Sequence, residues 1–236
     1  MNAQAASQDP RPLTFFCAFA LKQAVEDVIL PAYRKAGGEP VEAVFEPTFR
    51  LLTRIESGAR PDVMAGITGA LAELLTADIV TEPKPVARTG VGVAVPLDAP
   101  VPDISSVEAF ITAVTNARSV AYSRSGPSGI YFAGLLERLG IAELVTARAT
   151  VIDSGPTAVA LLDGRADLAI HQLSELILVP EATIVGPLPA AIQEYTDFST
   201  ALGTSVSRPA GAADLRDFLH GSEAKAAYAA NGLEAN

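Results

Sequence analysis

Short apolar runs and stretches of helical apolar spacing alternate along the whole chain. LTFFCA (13–18) is a compact apolar run with two aromatic residues and predicts a buried strand. LKQAVEDVILPAYRKAGG (21–38) spaces its apolar residues three and four apart and stops at a glycine pair, which predicts a helix. VEAVF (41–45) predicts a strand, RLLTRIESG (50–58) a helix ending at Gly58, PDVMAGI (61–67) a strand and TGALAELLTADIV (68–80) a helix. VARTGVGVAVPL (86–97) predicts a long strand whose only turn-type residues are glycines.

The second half keeps the rhythm. SSVEAFITAVTNA (105–117) predicts a helix with Ser105 or Ser106 as N-cap and Glu108 in the first turn. SVAYS (119–123) is a strand, GIYFAGLLERLG (129–140) a helix and ATVID (149–153) a strand. GPTAVALLDG (155–164) predicts a helix with Pro156 early in it. ADLAIHQ (166–172) is a strand, LSELIL (173–178) a short helix, and ATIVGPL (182–188) and STALGTSVS (199–207) are strands. AADLRDFLHGSEAKAAYAANG (212–232) closes the chain as one or two helices. Repeated strand–helix units predict mainly parallel sheets with helices on both faces. Ligands in such sheets bind beyond the carboxyl ends of strands, at helix N-termini. Loops 17–22, 45–50 and 122–130 meet that description, and segments 152–157 and 170–174 add two more.

The richest of these loops is SRSGPSGIY (123–131). Ser123, Ser125 and Ser128 offer hydroxyls, Gly126 and Gly129 let backbone approach a ligand, and the following helix offers its N–H groups. Arg124 can pair bidentately with a carboxylate or an oxyanion. One serine suffices to cap a helix, so three argue for an anion cradle. In FEPTFRLL (45–52), Thr48 is the expected N-cap, and Arg50 sits in the first turn, where a cation opposes the helix dipole unless an anion joins it. His171 and Gln172 end a strand, and Ser154 and Thr157 open a further helix, with Asp153 beside them as a base or a cap. His220 reads as a surface residue and Cys17 as a small buried hydrophobe.

Composition narrows the classes. Of 236 residues, 49% are hydrophobic, so large aliphatic cores are available, while Trp is absent. The net charge of −10, without a basic run, argues against nucleic acid. A single cysteine excludes an internal disulfide and a cysteine zinc cage, and no cofactor or metal is expected. No apolar run approaches the roughly 20 residues that span a bilayer. MNAQAASQDPRP is not an intact secretory signal, so the chain as it stands predicts a cytoplasmic protein. A removed signal, of which AQA (3–5) would be the stub, predicts a periplasmic one. There is no GxSxG, P-loop, HExxH or GxGxxG signature.

Several stretches together resemble the type II periplasmic binding proteins, in the molybdate-binding-protein-like branch of ABC-transporter substrate-binding proteins. They are LTFFCAFALKQAVEDV, RIESGARPDV, GVGVAVP, SGIYFAGLLERLGI, AVALLDGRADLAI and DLRDFLHGSEAKAAYAANGL, over about Leu13 to Leu233. The resemblance implies an α/β protein of two lobes joined by two crossing strands, with the anion in the cleft. One lobe would hold 12–88 and 197–236 and the other 89–196. It places the family's first-loop serine on Ala20, the second-loop serine near Thr48, the third loop on Pro127, Ser128 and Gly129, and the late tyrosine on Gln172. Molybdate is held by neutral hydroxyls and N–H groups. Here one hydroxyl is lost and Arg50, Arg124 and His171 stand beside the loops, which favours a small di- or tricarboxylate. The branch is also similar to aconitate isomerases, which carry out an allylic proton shift on a tricarboxylate. That likeness implies His171 as the proton-transfer base, with Asp153 or Glu46 behind it. The alternative is an oxyanion receptor that serves an ABC permease without catalysis.

Overall fold

The computed structural model describes residues 11–153 and 155–236. Ser154 and the AQA stretch lie outside the described residues. The strands are β1 (Leu13–Ala18), β2 (Val41–Glu46), β3 (Val63–Ile67), β4 (Lys84–Pro96), β5 (Val120–Ser123), β6 (Thr150–Ile152), β7 (Leu168–Gln172), β8 (Ala182–Pro187), β9 (Tyr195–Leu202) and β10 (Glu234–Ala235). The chain divides into two compact units. One is built from the described residues up to Ala87 with Asp197–Ala230 and Ala235–Asn236; the other is Arg88–Thr196 with Asn231–Glu234.

The first unit orders its sheet β2-β1-β3-β9. β1 is parallel to β2, Leu13 opposite Val41, and to β3, Phe15 opposite Val63; β9 runs antiparallel to β3. The carboxyl ends of β1, β2 and β3 therefore share one edge. Helices Thr48–Glu56 and Thr68–Thr76 turn Leu51, Ile55, Leu71 and Leu74 onto Phe16, Met64 and Ala201 of the sheet. Each such side chain, fully buried, contributes about 1.5–3 kcal/mol.

The second unit places β4 between β7 and β8 and continues β7-β5-β6. β5, β6 and β7 are mutually parallel, so their carboxyl ends also share an edge. Alternation along these strands feeds two cores. Val120, Tyr122, Leu168 and Ile170 pack with Phe110 and Phe132, while Ala121 and Ala169 pack with Leu161 and Leu176 on the opposite face. Phe132 meets Tyr122 and Phe110 edge-to-face, with ring centroids 5.3 and 6.5 Å apart.

Several elements differ from expectation. The segment after β1 is helical as predicted but widens at Val25–Ile29, where the Leu30 N–H reaches back to the Val25 carbonyl. Pro31 lacks an N–H and its ring crowds the preceding turn, which accounts for the widened turn. Thr48 is the first helical residue and not the N-cap, which is Pro47. Ser106 caps the helix Val107–Asn116, its hydroxyl accepting the Ala109 N–H at 3.1 Å. Of the helix expected over 155–164, only Val159–Leu162 forms. β9 begins at Tyr195, four residues before the predicted strand. A short helix at Ala142–Thr146 was not predicted. His220 is half-buried instead of surface-lying: its Nε2 is 2.7 Å from the hydroxyl of the fully buried Thr200.

Candidate functional site

The carboxyl edge of the β5–β7 sheet gathers most of the residues singled out. β5 ends at Ser123, whose hydroxyl accepts the Gly126 N–H at 3.0 Å and folds the chain into the helix Pro127–Arg138. That helix starts hard against the strand end, because a Cβ on Gly129 would fall on the Ser123 carbonyl oxygen. The glycine is the condition for so tight a turn. It lets Ser128, in the first helical turn, sit 2% exposed with its hydroxyl enclosed and without a hydrogen-bond partner. Leaving a buried hydroxyl unpaired costs about 1–3 kcal/mol, and the N-terminus of a twelve-residue helix favours an anion there.

Ser125 and Arg124 are exposed on the same loop. β6 is parallel to β5, with Ser123 opposite Ile152, so Asp153 lies beside Arg124 and their side chains pair. Both are more than 60% exposed. The pair raises the Arg124 pKa further above its ordinary value, mainly through the Asp153 hydrogen bond. Asp153 is thus a partner of Arg124, not a group behind His171. Thr157 is buried and spends its hydroxyl on the Ile170 carbonyl at 3.2 Å.

At the end of β7, His171 and Gln172 are 4% and 2% exposed. Gln172 donates from Nε2 to the Thr196 hydroxyl at 2.8 Å. His171 Nδ1 is enclosed without a hydrogen bond, and the Glu175 carboxylate stands 3.5 Å from it across the turn into the helix Leu173–Leu176. Sequence reasoning missed Glu175, which reads as an ordinary first-turn helical acid; the spacing of four from His171 was the available signal. The Ser174 hydroxyl is also enclosed and unpartnered.

The first unit presents its own carboxyl edge. Ala20, 7% exposed, lies in the single 3₁₀ turn Phe19–Leu21 after β1. Thr48 is 6% exposed, and its hydroxyl accepts the Ile67 N–H at 3.3 Å. Arg50 is exposed, with its guanidinium 5.9 Å from the Phe49 ring centroid. Glu46 is held by a two-pronged Arg54 fork at 2.8 and 2.7 Å, which lowers its pKa, so it is no reserve base for His171. Cys17 is fully buried, and burial pushes its thiol pKa up, which leaves it inert at neutral pH.

Away from these groups, a groove of about 790 Å³ in the second unit is lined by Val95, Pro96, Ala113 and Leu168, at the amino end of β7. Among the described residues no cluster of His, Cys, Asp or Glu could hold a metal ion. Among them, too, no helix is long and apolar enough to cross a membrane.

Known proteins place this arrangement. The chain is 30% identical to an aconitate isomerase from a Pseudomonas species, over 97% of this chain and 90% of that one. The substrate-binding domain of a putative molybdenum ABC transporter from Clostridium difficile superposes with a TM-score of 0.74 at 14% identity, covering 94% of this chain and 98% of that one. The Azotobacter vinelandii periplasmic molybdate-binding protein does so with 0.72 at 19%, over 94% and 98%. These two establish the type II periplasmic-binding-protein fold expected from the sequence. The family model for bacterial extracellular solute-binding proteins matches residues 13–234, nearly the whole chain, and the chain belongs to that family.

Proposed function

We propose that the protein binds a small di- or tricarboxylate and catalyses an allylic proton shift of the aconitate type. The observation that carries this reading is His171, an imidazole buried at the carboxyl edge of the sheet. Its Nδ1 is enclosed by protein, while Nε2 is not among the enclosed, unpartnered atoms of the described residues, and the same edge carries the unspent Ser128 hydroxyl. A receptor that only held an oxyanion would need no titratable group there. Imidazole takes and gives a proton near neutral pH. The likeness to an aconitate isomerase, at 30% identity over 97% of the chain, supports the same chemistry.

The roles follow from chemistry. Ser123, Ser125 and Ser128 with the helix N–H groups would hold one carboxylate, and Arg124 would turn its free N–H groups to another. Gln172 would offer its amide, and Ala20, Thr48 and Arg50 mark the corresponding edge of the first unit. His171 would remove a proton from the methylene carbon beside a carboxylate. The electron pair shifts the double bond by one carbon, and the same nitrogen, its proton exchangeable with solvent, delivers a proton to the former alkene carbon. No redox change occurs.

A second reading is a transport receptor for an oxyanion, which would hand its ligand to an ABC permease from the periplasm. The neutral hydroxyl and N–H donors of loop 123–129 favour it, as does the fold shared with a molybdate-binding protein. Calorimetry with molybdate, tungstate, sulfate, citrate and both aconitates separates the two. The carboxylate reading expects heat with citrate or an aconitate and weaker or no response to molybdate. Tight molybdate binding with silent carboxylates would remove it.

A further inference from the structure

We infer that Glu175 is the positioning residue that holds His171 as its Nδ1–H tautomer and leaves Nε2 as the base; the catalytic part of this inference rests on the isomerase reading above. Three observations converge. First, His171 Nδ1 is enclosed by protein and makes no hydrogen bond, whereas Nε2 is not among the enclosed, unpartnered atoms of the described residues. Second, the Glu175 carboxylate lies 3.5 Å from Nδ1, with the two side chains only 5% and 15% exposed. A small rotation of either side chain turns that approach into a hydrogen bond. Third, the other acids that could serve are engaged elsewhere: Asp153 with Arg124, and Glu46 with Arg54.

The local chain explains the meeting. β7 ends at Gln172, which is the N-cap of the helix Leu173–Leu176, and Glu175 is the third helical residue. The strand-to-helix turn brings residues four apart onto one side, as i and i+4 meet within a helix. A four-residue helix has little dipole for an acid to serve, so helix stabilisation explains Glu175 poorly. The proton on a histidine is placed by the partner of its other nitrogen. A carboxylate at Nδ1 therefore fixes the proton there and presents the Nε2 lone pair.

The chemistry balances. Nε2 takes the substrate proton and the ring becomes imidazolium. The Glu175 carboxylate, 3.5 Å from Nδ1, stands beside the ring where that charge develops. The imidazolium proton on Nε2 exchanges with solvent, and Nε2 then releases a proton to the other allylic carbon, while the Nδ1–H keeps pointing at the Glu175 carboxylate throughout.

The test reads the tautomer directly, on the resting full-length protein without ligand. Nitrogen-15 NMR of the two histidines is recorded for wild type, with His171→Asn assigning the signal. We expect the Nδ1–H form in wild type, a switch to Nε2–H in Glu175→Leu, and restoration of Nδ1–H in Glu175→Asp. In parallel, Glu175→Leu should cut substrate deuterium exchange by about 10²-fold, within the ~10²–10⁴ of positioned proton transfer, with KM changed less than about threefold. Thermal melts check that Glu175→Leu folds; if it does not, Glu175→Gln with an altered kcat at constant KM takes its place. An Nε2–H wild type, or a tautomer indifferent to Glu175, overturns the inference whether or not the protein turns over. Wild type without any turnover but with the expected tautomers keeps the positioning role and removes the isomerase reading instead.

Discussion

The carboxyl edges of the two sheets handle their polar groups in opposite ways. In the first unit the hydroxyls at the edge are spent on the protein. Thr48 takes the Ile67 N–H, Thr68 bonds Ser199 at 2.8 Å, and Ala20 offers none. Gln23 Oε1, three residues beyond Ala20, is the exception, being enclosed and unpartnered. In the second unit Ser128 Oγ, Ser174 Oγ and His171 Nδ1 are all enclosed and unpartnered. Each such group costs the fold about 1–3 kcal/mol. On the proposed reading, the unspent groups of the second edge await the ligand, and the proton transfer falls to the second unit.

Changes at the unspent groups should cost function and spare the fold, and the largest such effect falls on His171. His171→Asn should abolish exchange of substrate protons with deuterated water, a loss of about 10²–10⁴, while the ligand still binds. Residual turnover with weakened binding would make His171 a clamp. Next, Arg124→Ala should weaken carboxylate binding by about 10- to 150-fold, since a charged hydrogen bond contributes about 1.5–3 kcal/mol. Its pair with Asp153 is exposed and contributes little to stability, so the melting temperature should hold. Unchanged affinity would return Arg124 to the surface. Ser128→Ala should divide the two roles most cleanly. Removing an enclosed, unpaired hydroxyl should leave the ligand-free protein as stable or more stable, yet lower affinity about two- to tenfold. A loss of ligand-free stability would show that the hydroxyl serves the fold.

The smallest effect lies in the first unit. Burial, and then Lys84, lower the pKa of His220 below its ordinary 6.5. The folded state thus prefers the neutral ring. Its contribution is fully present above the unfolded pKa and declines as pH falls through about 6.5 and below, because the unfolded chain binds the proton more readily. His220→Gln should flatten that part of the stability–pH curve. An unchanged curve would mean that the ring titrates alike in both states.

Much of the fold was legible, because its buried strands are short apolar runs set between stretches of helical apolar spacing. LTFFCA became β1 at its predicted bounds, and the cradle reading of SRSGPSGIY placed Ser128 at a helix start. The failures trace to contacts distant in sequence. The helix expected from Gly155 starts only at Val159, since Thr157 spends its hydroxyl on β7. His220 looked exposed because its partner, Thr200, lies 20 residues earlier on another element. Asp153 and Glu46 looked like reserve bases until parallel β5–β6 pairing set Asp153 beside Arg124, and an eight-residue spacing set Glu46 beside Arg54. The acid that does meet His171, Glu175, was hidden by its resemblance to a helix-opening residue.

The most direct test of a catalytic second edge is proton exchange by the wild-type protein. With cis- or trans-aconitate in deuterated water, the account predicts deuterium at both allylic carbons and conversion of one isomer into the other. Tight binding of either aconitate with neither deuterium incorporated nor one isomer converted into the other would contradict it and leave a receptor.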